Sequence, residues 1–439
     1  MILNAIIIFL AHALFTIGTY VIWPSRWNVA AHLQLGLLVS AFLIPLFFTD
    51  VLAQSSPQAV QMIVYLCLFG APAYLVGLVL GDAMQRRVPM FNGLSRAILR
   101  IDAFPAITRH RIIIVLVVGI AGMAVSFGVM GVIPAFAENP LSAKFGRGQY
   151  EEVYRRMAVP FRFSYSALTT IIPIAFLLFL RTRNKLGLVL SMAATGMIAL
   201  QLTRAPAAQG ILLAIGIIVA QYRRLFCLYL VLIAFAAPLG SISFYLLGQV
   251  TESSQFNRAY SEGSIADLIA SGTPDVRDQT LFITNFKYDP EWTYGRTFVG
   301  GLVPFHYEWN PNIYALRIIS TADISEVVSG GLRLPPTIWG YVSFGWAGAV
   351  LVPFFSGLIN GIFTRFTRKV TAQGGMMPKI VVLVIYMTLF SQLVAFYRLT
   401  FFTIPEVAVL LFLLRQPPRN RCLSSRRIAT SGRTGQDPP

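Results

Sequence analysis

The chain has 439 residues, of which 56% are hydrophobic and only 12% are charged, whereas a typical soluble domain has about 25% charged residues. Apolar stretches of membrane-spanning length recur from the first residues almost to the last, which excludes a soluble globular class. Because a helix satisfies its backbone hydrogen bonds internally, these stretches are predicted to be helices. The fold class is therefore an all-α polytopic membrane protein.

The net charge of +17 at pH 7 raises the question of a nucleic-acid partner. Residues 248–335 contain six Lys or Arg and ten Asp or Glu, so the excess of bases lies in the rest of the chain. There the bases sit mainly in short segments between apolar stretches, as orientation signals and contacts to anionic lipids do. We expect a lipid bilayer as a partner and no nucleic acid. The three cysteines are too scattered for a disulfide framework.

Hydropathy predicts about eleven spans, of which the first is a retained helix and not a cleaved signal peptide. In chain order they cover residues 2–22, 33–52, 59–81, 112–134, 163–180, 186–202, 207–220, 225–247, 336–363, 380–396 and 399–414. They divide the chain into an N-terminal bundle of about eight helices (1–247), a large loop (248–335), about three C-terminal helices (336–414) and a basic, disordered tail (415–439).

The basic residues predict the orientation of these spans. With the N-terminus outside, most Lys and Arg of the short connecting segments fall on the cytoplasmic side. The segment 135–162 and the long loop 248–335 are then external, and the tail is cytoplasmic. Gly93–Ile101 has the pattern of an amphipathic interfacial helix. Gln149–Met157, in the first external segment, is predicted to be a short helix in which Glu151 and Glu152 face Arg155 and Arg156.

The long external loop is rich in aromatic residues. Twelve lie between Gly248 and Pro335, several of them on either side of His306. Aromatic faces suit sugar rings, and Tyr294 and Trp309 are the candidates for sugar binding. Alternatively, these rings pack the loop onto the membrane surface, where Trp and Tyr are favoured.

Two arginines fall at predicted external helix ends, Arg204 and Arg398. A guanidinium is permanently charged and binds phosphate oxygens through two parallel hydrogen bonds. Several arginines converging at the external leaflet would bind a lipid pyrophosphate. The alternative for either residue is snorkelling to lipid headgroups.

From about Leu186 to Phe412 the chain resembles the oligosaccharide repeat-unit polymerases, which include the O-antigen polymerases. The resemblance lies in the order of five elements: Thr203-Arg204, Tyr294-Gly295-Arg296-Thr297-Phe298, Val303-Pro304-Phe305-His306, Gly330 to Thr337 leading into Tyr341 to Gly348, and Arg398.

This resemblance implies a metal-independent membrane glycosyltransferase without a cofactor in the bacterial inner membrane. Its substrates would be undecaprenyl-pyrophosphate-linked oligosaccharides, joined on the periplasmic side, with a chain-length regulator and a flippase as partners. Arg296 and Arg333 would stabilise the leaving pyrophosphate, with Arg204 and Arg398 binding it. His306 or a loop carboxylate would act as the base.

The chain departs from the family in one respect that concerns the base. Related sequences often have an acidic residue shortly before the Phe-Gly pair, whereas residues 338–341 here contain none. Glu308, Asp323 and Glu326 are the alternative acids. An O-antigen ligase would share the same arginines and loop, and a polysaccharide flippase or other transporter is the alternative from a different functional class.

Overall fold

The computed structural model describes residues 1–103, 105–250, 264–303, 308–320, 331–390, 400–401 and 403–415. In these residues the regular secondary structure is helical, and they contain no β-strand. Hydropathy predicts this all-α class, and the described part of the chain confirms it.

The first part of the chain folds into eleven α-helices up to residue 250. They are α1 (Ile2–Ile17), α2 (Val29–Leu38), α3 (Ile44–Phe48), α4 (Pro57–Arg87), α5 (Asn92–Leu99), α6 (Pro105–Met130), α7 (Pro140–Phe145), α8 (Glu151–Thr182), α9 (Lys185–Leu200), α10 (Arg204–Val219) and α11 (Arg223–Val250). A π-helical segment, Val39–Leu43, joins α2 to α3.

Seven further α-helices follow in the described residues. They are α12 (Ile265–Gly272), α13 (Asp275–Tyr288), α14 (Arg296–Gly300), α15 (Pro311–Ile319), α16 (Pro336–Gln373), α17 (Met376–Ile385) and α18 (Thr403–Leu414). A second π-helical segment, Tyr386–Phe390, continues α17.

The predicted spans overlap these helices along the whole chain. In the described residues, seven helical stretches are long and apolar enough to cross a membrane. Four shorter apolar helices, each of 10–17 residues, occupy the other predicted spans. The membrane character of the protein is therefore supported by the structure, whereas the count of eleven crossings remains a prediction.

The most extensive helix–helix contact joins α4 to α16. Its centre is four glycines in two Gly-x-x-x-Gly pairs, Gly77 with Gly81 and Gly357 with Gly361, which we call the glycine interface. A Cβ atom added to any of the four would lie 2.1 Å from a backbone carbonyl oxygen of the other helix. Residue numbers rise together along the two helices, so α4 and α16 are parallel. Small residues at this spacing allow membrane helices to approach so closely.

Contacts between connecting segments sort them into two ends of the bundle. At one end, Arg368 donates a hydrogen bond to the carbonyl oxygen of Ile22 over 2.8 Å. At the other end, Gln201 donates to the carbonyl oxygen of Lys144 over 2.9 Å. This sorting agrees with the alternation of the predicted spans. Which end faces which compartment remains a prediction.

The described part of the long loop packs into the bundle. Phe282 and Phe286 of α13 and Tyr314 of α15 are fully buried in the same hydrophobic core as Ile8 of α1 and Leu66 of α4. The loop therefore shares its core with the membrane helices.

Two smaller predictions have different outcomes. The amphipathic segment forms α5, with Ile98 buried and Arg96 exposed. The helix predicted at Gln149–Met157 is present but is not short, because Glu151 begins α8, which continues to Thr182. The helix runs on through Pro160 into the apolar stretch, whose buried residues begin at Phe161. The ion pair between Glu152 and Arg156 is present at 2.5 Å.

Candidate functional site

The site depends on a break within α16, where the backbone is not helical at Phe344 and Gly345. Gly345 has φ +62° and ψ −146°, a conformation that only glycine adopts readily. A Cβ on Gly340 would lie 2.1 Å from the carbonyl oxygen of Gly348, although eight residues of an unbroken helix span about 12 Å. The segment 336–343 therefore folds back against the rest of α16 as a short re-entrant arm. The expectation of a single span over residues 336–363 misses this reversal.

The reversal brings the end of the long loop deep into the bundle. Arg333, Pro335 and Pro336 line the same cavity as Ser356 and Asn360, which lie on the main arm of α16. In a straight helix, Pro336 and Asn360 would be about 36 Å apart. The fold-back therefore carries Arg333 from the loop to the interior of the membrane bundle.

Arg333 forms a bidentate ion pair with Asp275, the first residue of α13. Its Nε donates to Oδ1 over 2.6 Å and its Nη2 donates to Oδ2 over 2.5 Å. The Asp275 side chain is only 3% exposed, whereas the Arg333 side chain is 41% exposed. The guanidinium thus neutralises a carboxylate that is almost fully removed from solvent, which would otherwise be strongly destabilising.

The ion pair borders a cavity of about 250 Å³ between α1, α2, α4, α10 and α16. Hydrogen-bonding side chains are frequent in its lining, including His12, Gln34, Tyr74, Gln209, Asn360 and Tyr386. Both π-helical segments reach it, through Phe42 and Tyr386. Such segments inside helices occur frequently at functional sites. A polar cavity in an apolar bundle is a candidate binding site.

A second cluster lies at the tip of the re-entrant arm. The Thr293 backbone N–H donates to the carbonyl oxygen of Val342 over 3.0 Å, and its hydroxyl is 2.7 Å from that of Ser343. Tyr294 and Gly295 follow, both with positive φ. The next residue, Arg296, places its guanidinium 4.7 Å from the centre of the Trp309 ring.

A second acidic residue of α13 lies close to the ion pair. Burial and the neighbouring Asp275 carboxylate raise the pKa of Asp278 to about 7, with Arg333 and Arg277 acting in the opposite direction. This half-buried carboxyl belongs to the loop and not to a membrane-spanning helix. It can therefore accept or release a proton near neutral pH.

No family model, curated protein or solved structure matches the chain. In the described residues, no group of three or more His, Cys, Asp and Glu side chains could hold a metal ion.

The predicted site residues fall into two groups where the structure describes them. Tyr294, Arg296 and Trp309 come together at the tip of the arm, with Tyr294 exposed and Arg296 stacked on Trp309. Arg333 lies instead at the cavity beside Asp275.

The remaining predicted residues are described less fully or not at all. Arg204 begins α10, but its side chain is not among those that the structure describes. His306, Asp323, Glu326 and Arg398 lie outside the described residues. Of the alternative acids, Glu308 is exposed. The backbone N–H of Phe401, three positions after Arg398, donates to the carbonyl oxygen of Gly301 beside α14.

Sequence reasoning missed two residues of the cavity, Asp275 and His12. Asp275 looks like any of the ten acids of the loop, and only the fold-back pairs it with Arg333. His12 had a usable signal, because an ionisable side chain in the middle of a predicted span marks a candidate site by itself. The glycine pairs of α4 and α16 were also readable as close-packing positions.

Proposed function

We propose that this protein is a membrane glycosyltransferase that polymerises polyprenyl-pyrophosphate-linked oligosaccharide repeat units at the periplasmic face of the bacterial inner membrane. The observation that carries the proposal is the fold-back of the long loop. It combines a polar cavity within the bundle, an arginine–carboxylate pair at its edge and a stacked arginine at the tip of the same arm.

Arg296 suits the binding of the pyrophosphate. The guanidinium lies over the Trp309 ring, which restrains it, and the Arg296 side chain remains exposed. Phosphate oxygens accept two parallel hydrogen bonds from the N–H edge of a guanidinium. Arg204, at the N-terminus of α10, would add charge where the helix dipole already favours an anion. Arg398 would complete the site from the segment that precedes Phe401.

The reaction transfers a growing glycan to an incoming lipid-linked unit. A hydroxyl oxygen of the acceptor sugar bonds to the anomeric carbon of the donor, and the bond from that carbon to the pyrophosphate oxygen breaks. The polyprenyl pyrophosphate leaves with the electron pair, and the acceptor proton goes to a base. Arginines stabilise the negative charge that develops on the leaving group.

Among the described carboxyl groups, Asp278 best suits the base. Its pKa of about 7 matches the operating pH, so it is partly ionised and still basic enough to take a proton. Asp275 is less suitable because both of its oxygens accept hydrogen bonds from Arg333. His306 remains the candidate predicted from the sequence.

Transport is the second candidate function, and a specific observation favours it. A re-entrant arm and two π-helical segments surround a polar cavity inside the bundle, and interrupted helices often form transporter binding sites. A ligase would use the same arginines but a different acceptor. The products formed in a reconstituted system distinguish the polymerase, the transporter and the ligase.

The test is a reconstituted reaction with the purified protein in lipid nanodiscs and a lipid-linked repeat unit as the only glycan substrate. The proposal predicts a ladder of oligomers. Arg296→Lys should slow polymer formation roughly ten- to a hundred-fold, because loss of one charge-assisted bond costs on the order of 1.5–3 kcal/mol.

The matched control is Arg183→Lys, since Arg183 is exposed at the end of α8, and it should leave the ladder unchanged. Unpolymerised substrate that appears only on the far side of proteoliposomes would indicate a transporter. Glycan found only on added lipid A core would indicate a ligase. If Lys replaces Arg at positions 204, 296 and 398 without loss, these arginines are lipid anchors, and Lys without loss at position 333 would leave Arg333 with only its ion pair to Asp275.

A further inference from the structure

The cavity beside the ion pair has its own binding chemistry, which the transfer reaction does not use. His12 lies in the first helix, far in sequence from the loop, and is 3% exposed. Its ring stacks on Phe42 with the ring centres 4.0 Å apart. Both side chains line the cavity.

The hydrogen bond of His12 fixes the tautomer of its neutral ring. Nδ1 lies 2.8 Å from the carbonyl oxygen of Ile8, and a carbonyl oxygen can only accept. Nδ1 therefore carries the proton, and the lone pair is on Nε2. Nε2 is buried and has no hydrogen bond of full strength to a described residue; the Gln279 side chain makes a weaker hydrogen-bonding contact with the ring. A buried polar atom that is incompletely satisfied is costly, so an occupant that donates to it would be favoured.

A second set of groups faces the same space. Asn360 donates from Nδ2 to the hydroxyl oxygen of Tyr74 over 2.6 Å, and the Tyr386 hydroxyl donates to its Oδ1. Because the Tyr74 oxygen accepts in this contact, its own O–H can donate to an occupant. The cavity therefore offers both an acceptor, at His12, and a donor, at Tyr74.

The charge of the lining selects the kind of occupant. Asp275 and Arg333 carry the formal charges among the lining residues, and they neutralise each other. Transferring an unpaired ion to such a site is strongly unfavourable, whereas a neutral molecule with several hydroxyl groups can satisfy the polar lining. The volume of about 250 Å³ is below the roughly 300–1,000 Å³ of drug-sized sites and suits a single substituted ring.

We propose that the cavity is a subsite for one neutral, polyhydroxylated ring, with a ring hydroxyl donating to Nε2 of His12 and the Tyr74 hydroxyl donating to a ring oxygen. The proposal rests on the proposed function for the source of the ring, which is a sugar of the lipid-linked oligosaccharide. Phe15 and Phe42 supply the apolar surfaces for its C–H faces.

The experiment follows the His12 ring by nitrogen NMR in purified protein in nanodiscs. The chain has four histidines, and His12→Gln identifies the resonance by its loss. Without sugar, His12 should show the tautomer protonated at Nδ1. Free glucose, galactose and N-acetylglucosamine are then titrated, with glucuronate and glucosamine as charged counterparts.

We expect at least one neutral sugar to shift the Nε2 resonance of His12 saturably and to leave His32 unchanged. Gln34→Leu should weaken this binding at least tenfold, because Gln34 lines the cavity. The matched control is Ser191→Ala, a buried serine of α9 that bonds only within its own helix, and it should bind normally.

Other outcomes separate the two proposals. If no neutral sugar shifts His12 while the reconstituted protein still polymerises lipid-linked units, the cavity proposal fails and the proposed function stands. If neutral sugars bind but no polymer forms, the subsite stands and the polymerase proposal fails. Equal shifts with glucuronate or glucosamine would overturn the selection of a neutral ring.

Discussion

The helices α4 and α16 contribute to both the glycine interface and the cavity, in opposite ways. In the glycine interface the backbones are in direct contact, and a Cβ on Gly77 would lie 2.1 Å from the carbonyl oxygen of Phe354. At the cavity, within one turn of these glycines, the Tyr74 and Asn360 side chains form a hydrogen bond with each other and line the wall. The glycine interface excludes side chains, whereas the cavity is lined by them.

The difference separates the framework of the bundle from its candidate site. The four glycines of the interface have no ionisable side chains, so their close contact does not itself titrate; the nearest charged groups are Asp82, beside Gly81, and Arg365 of α16, which lie 3.9 Å apart. The cavity depends on Asp275 and Arg333, which the long loop supplies from positions 58 residues apart. It follows that substitutions in the glycine interface should unfold the protein, whereas substitutions at the ion pair should act in graded and pH-dependent ways.

The largest effect is expected for Gly77→Ala. The added methyl group would overlap the backbone of α16, which cannot rotate away as a side chain can. The helices must then separate, with loss of their packing over several turns. We expect a destabilisation of more than about 4 kcal/mol, seen as loss of folded protein in size-exclusion chromatography and thermal unfolding.

Gly196→Ala is the matched control for this substitution. Gly196 also lies inside a helix, α9, but an added Cβ meets nothing within 4 Å. This variant should be as stable as the original protein or slightly more stable, because alanine favours helix more than glycine does. Equal losses for the two variants would show that glycine at position 77 serves no close contact.

The second effect is an asymmetry within the ion pair. Arg333→Met leaves the buried Asp275 carboxylate without its counter-charge and should cost about 3 kcal/mol. Asp275→Asn leaves a guanidinium that is 41% exposed and can still be hydrated, so it should cost roughly 1–2 kcal/mol. Thermal unfolding of the two variants measures the difference.

The double variant Asp275→Asn with Arg333→Met tests the origin of this asymmetry. Replacing both partners removes the buried charge together with its counter-charge, so it should be less harmful than Arg333→Met alone. A double variant that loses the sum of both single effects would argue against a direct interaction.

The fold was predictable where its signal in the sequence extends over many residues, and not where it depends on one or two. Hydropathy acts over about twenty consecutive residues, so it gave the class and the positions of the helices. The reversal at Phe344 and Gly345 was not predictable in this way, because both arms are apolar. Only the glycine at position 345 hints at the break, and a glycine in an apolar stretch has several meanings.

The candidate site was predictable only in part, for a related reason. Tyr294 and Trp309 were chosen by residue type and Arg296 from the family resemblance, and the structure gathers them because their segments are close in sequence. Arg333 was chosen for a phosphate, yet the structure pairs it with Asp275. Such a pairing depends on the path of the loop through the bundle, which no local pattern encodes.

The smallest expected effect is a dependence of folding stability on pH, which should arise near the cavity and not at the glycine interface. Asp278 faces Asp275, Arg333 and Arg277, and its pKa is raised from the ordinary 3.8 to about 7. A raised pKa in a carboxyl group means that the folded state holds the proton more tightly than the unfolded chain does. Between about pH 4 and 7 the folded state therefore binds more protons, and stability falls as the pH rises.

From pH 5.5 to 7.5 this loss should reach at most about 2 kcal/mol, since the carboxyl group is partly solvated. Asp278→Asn cannot ionise, so its stability should change less over the same interval, and the two curves should diverge most above pH 7. Chemical unfolding at a series of pH values measures both curves. Gly77→Ala in the same series should keep the original slope in whatever folded fraction remains, because the substitution neither adds nor removes a titrating group. Parallel curves for Asp278→Asn and the original protein would show that folding does not raise the pKa of Asp278, which would remove the argument for it as the proposed base.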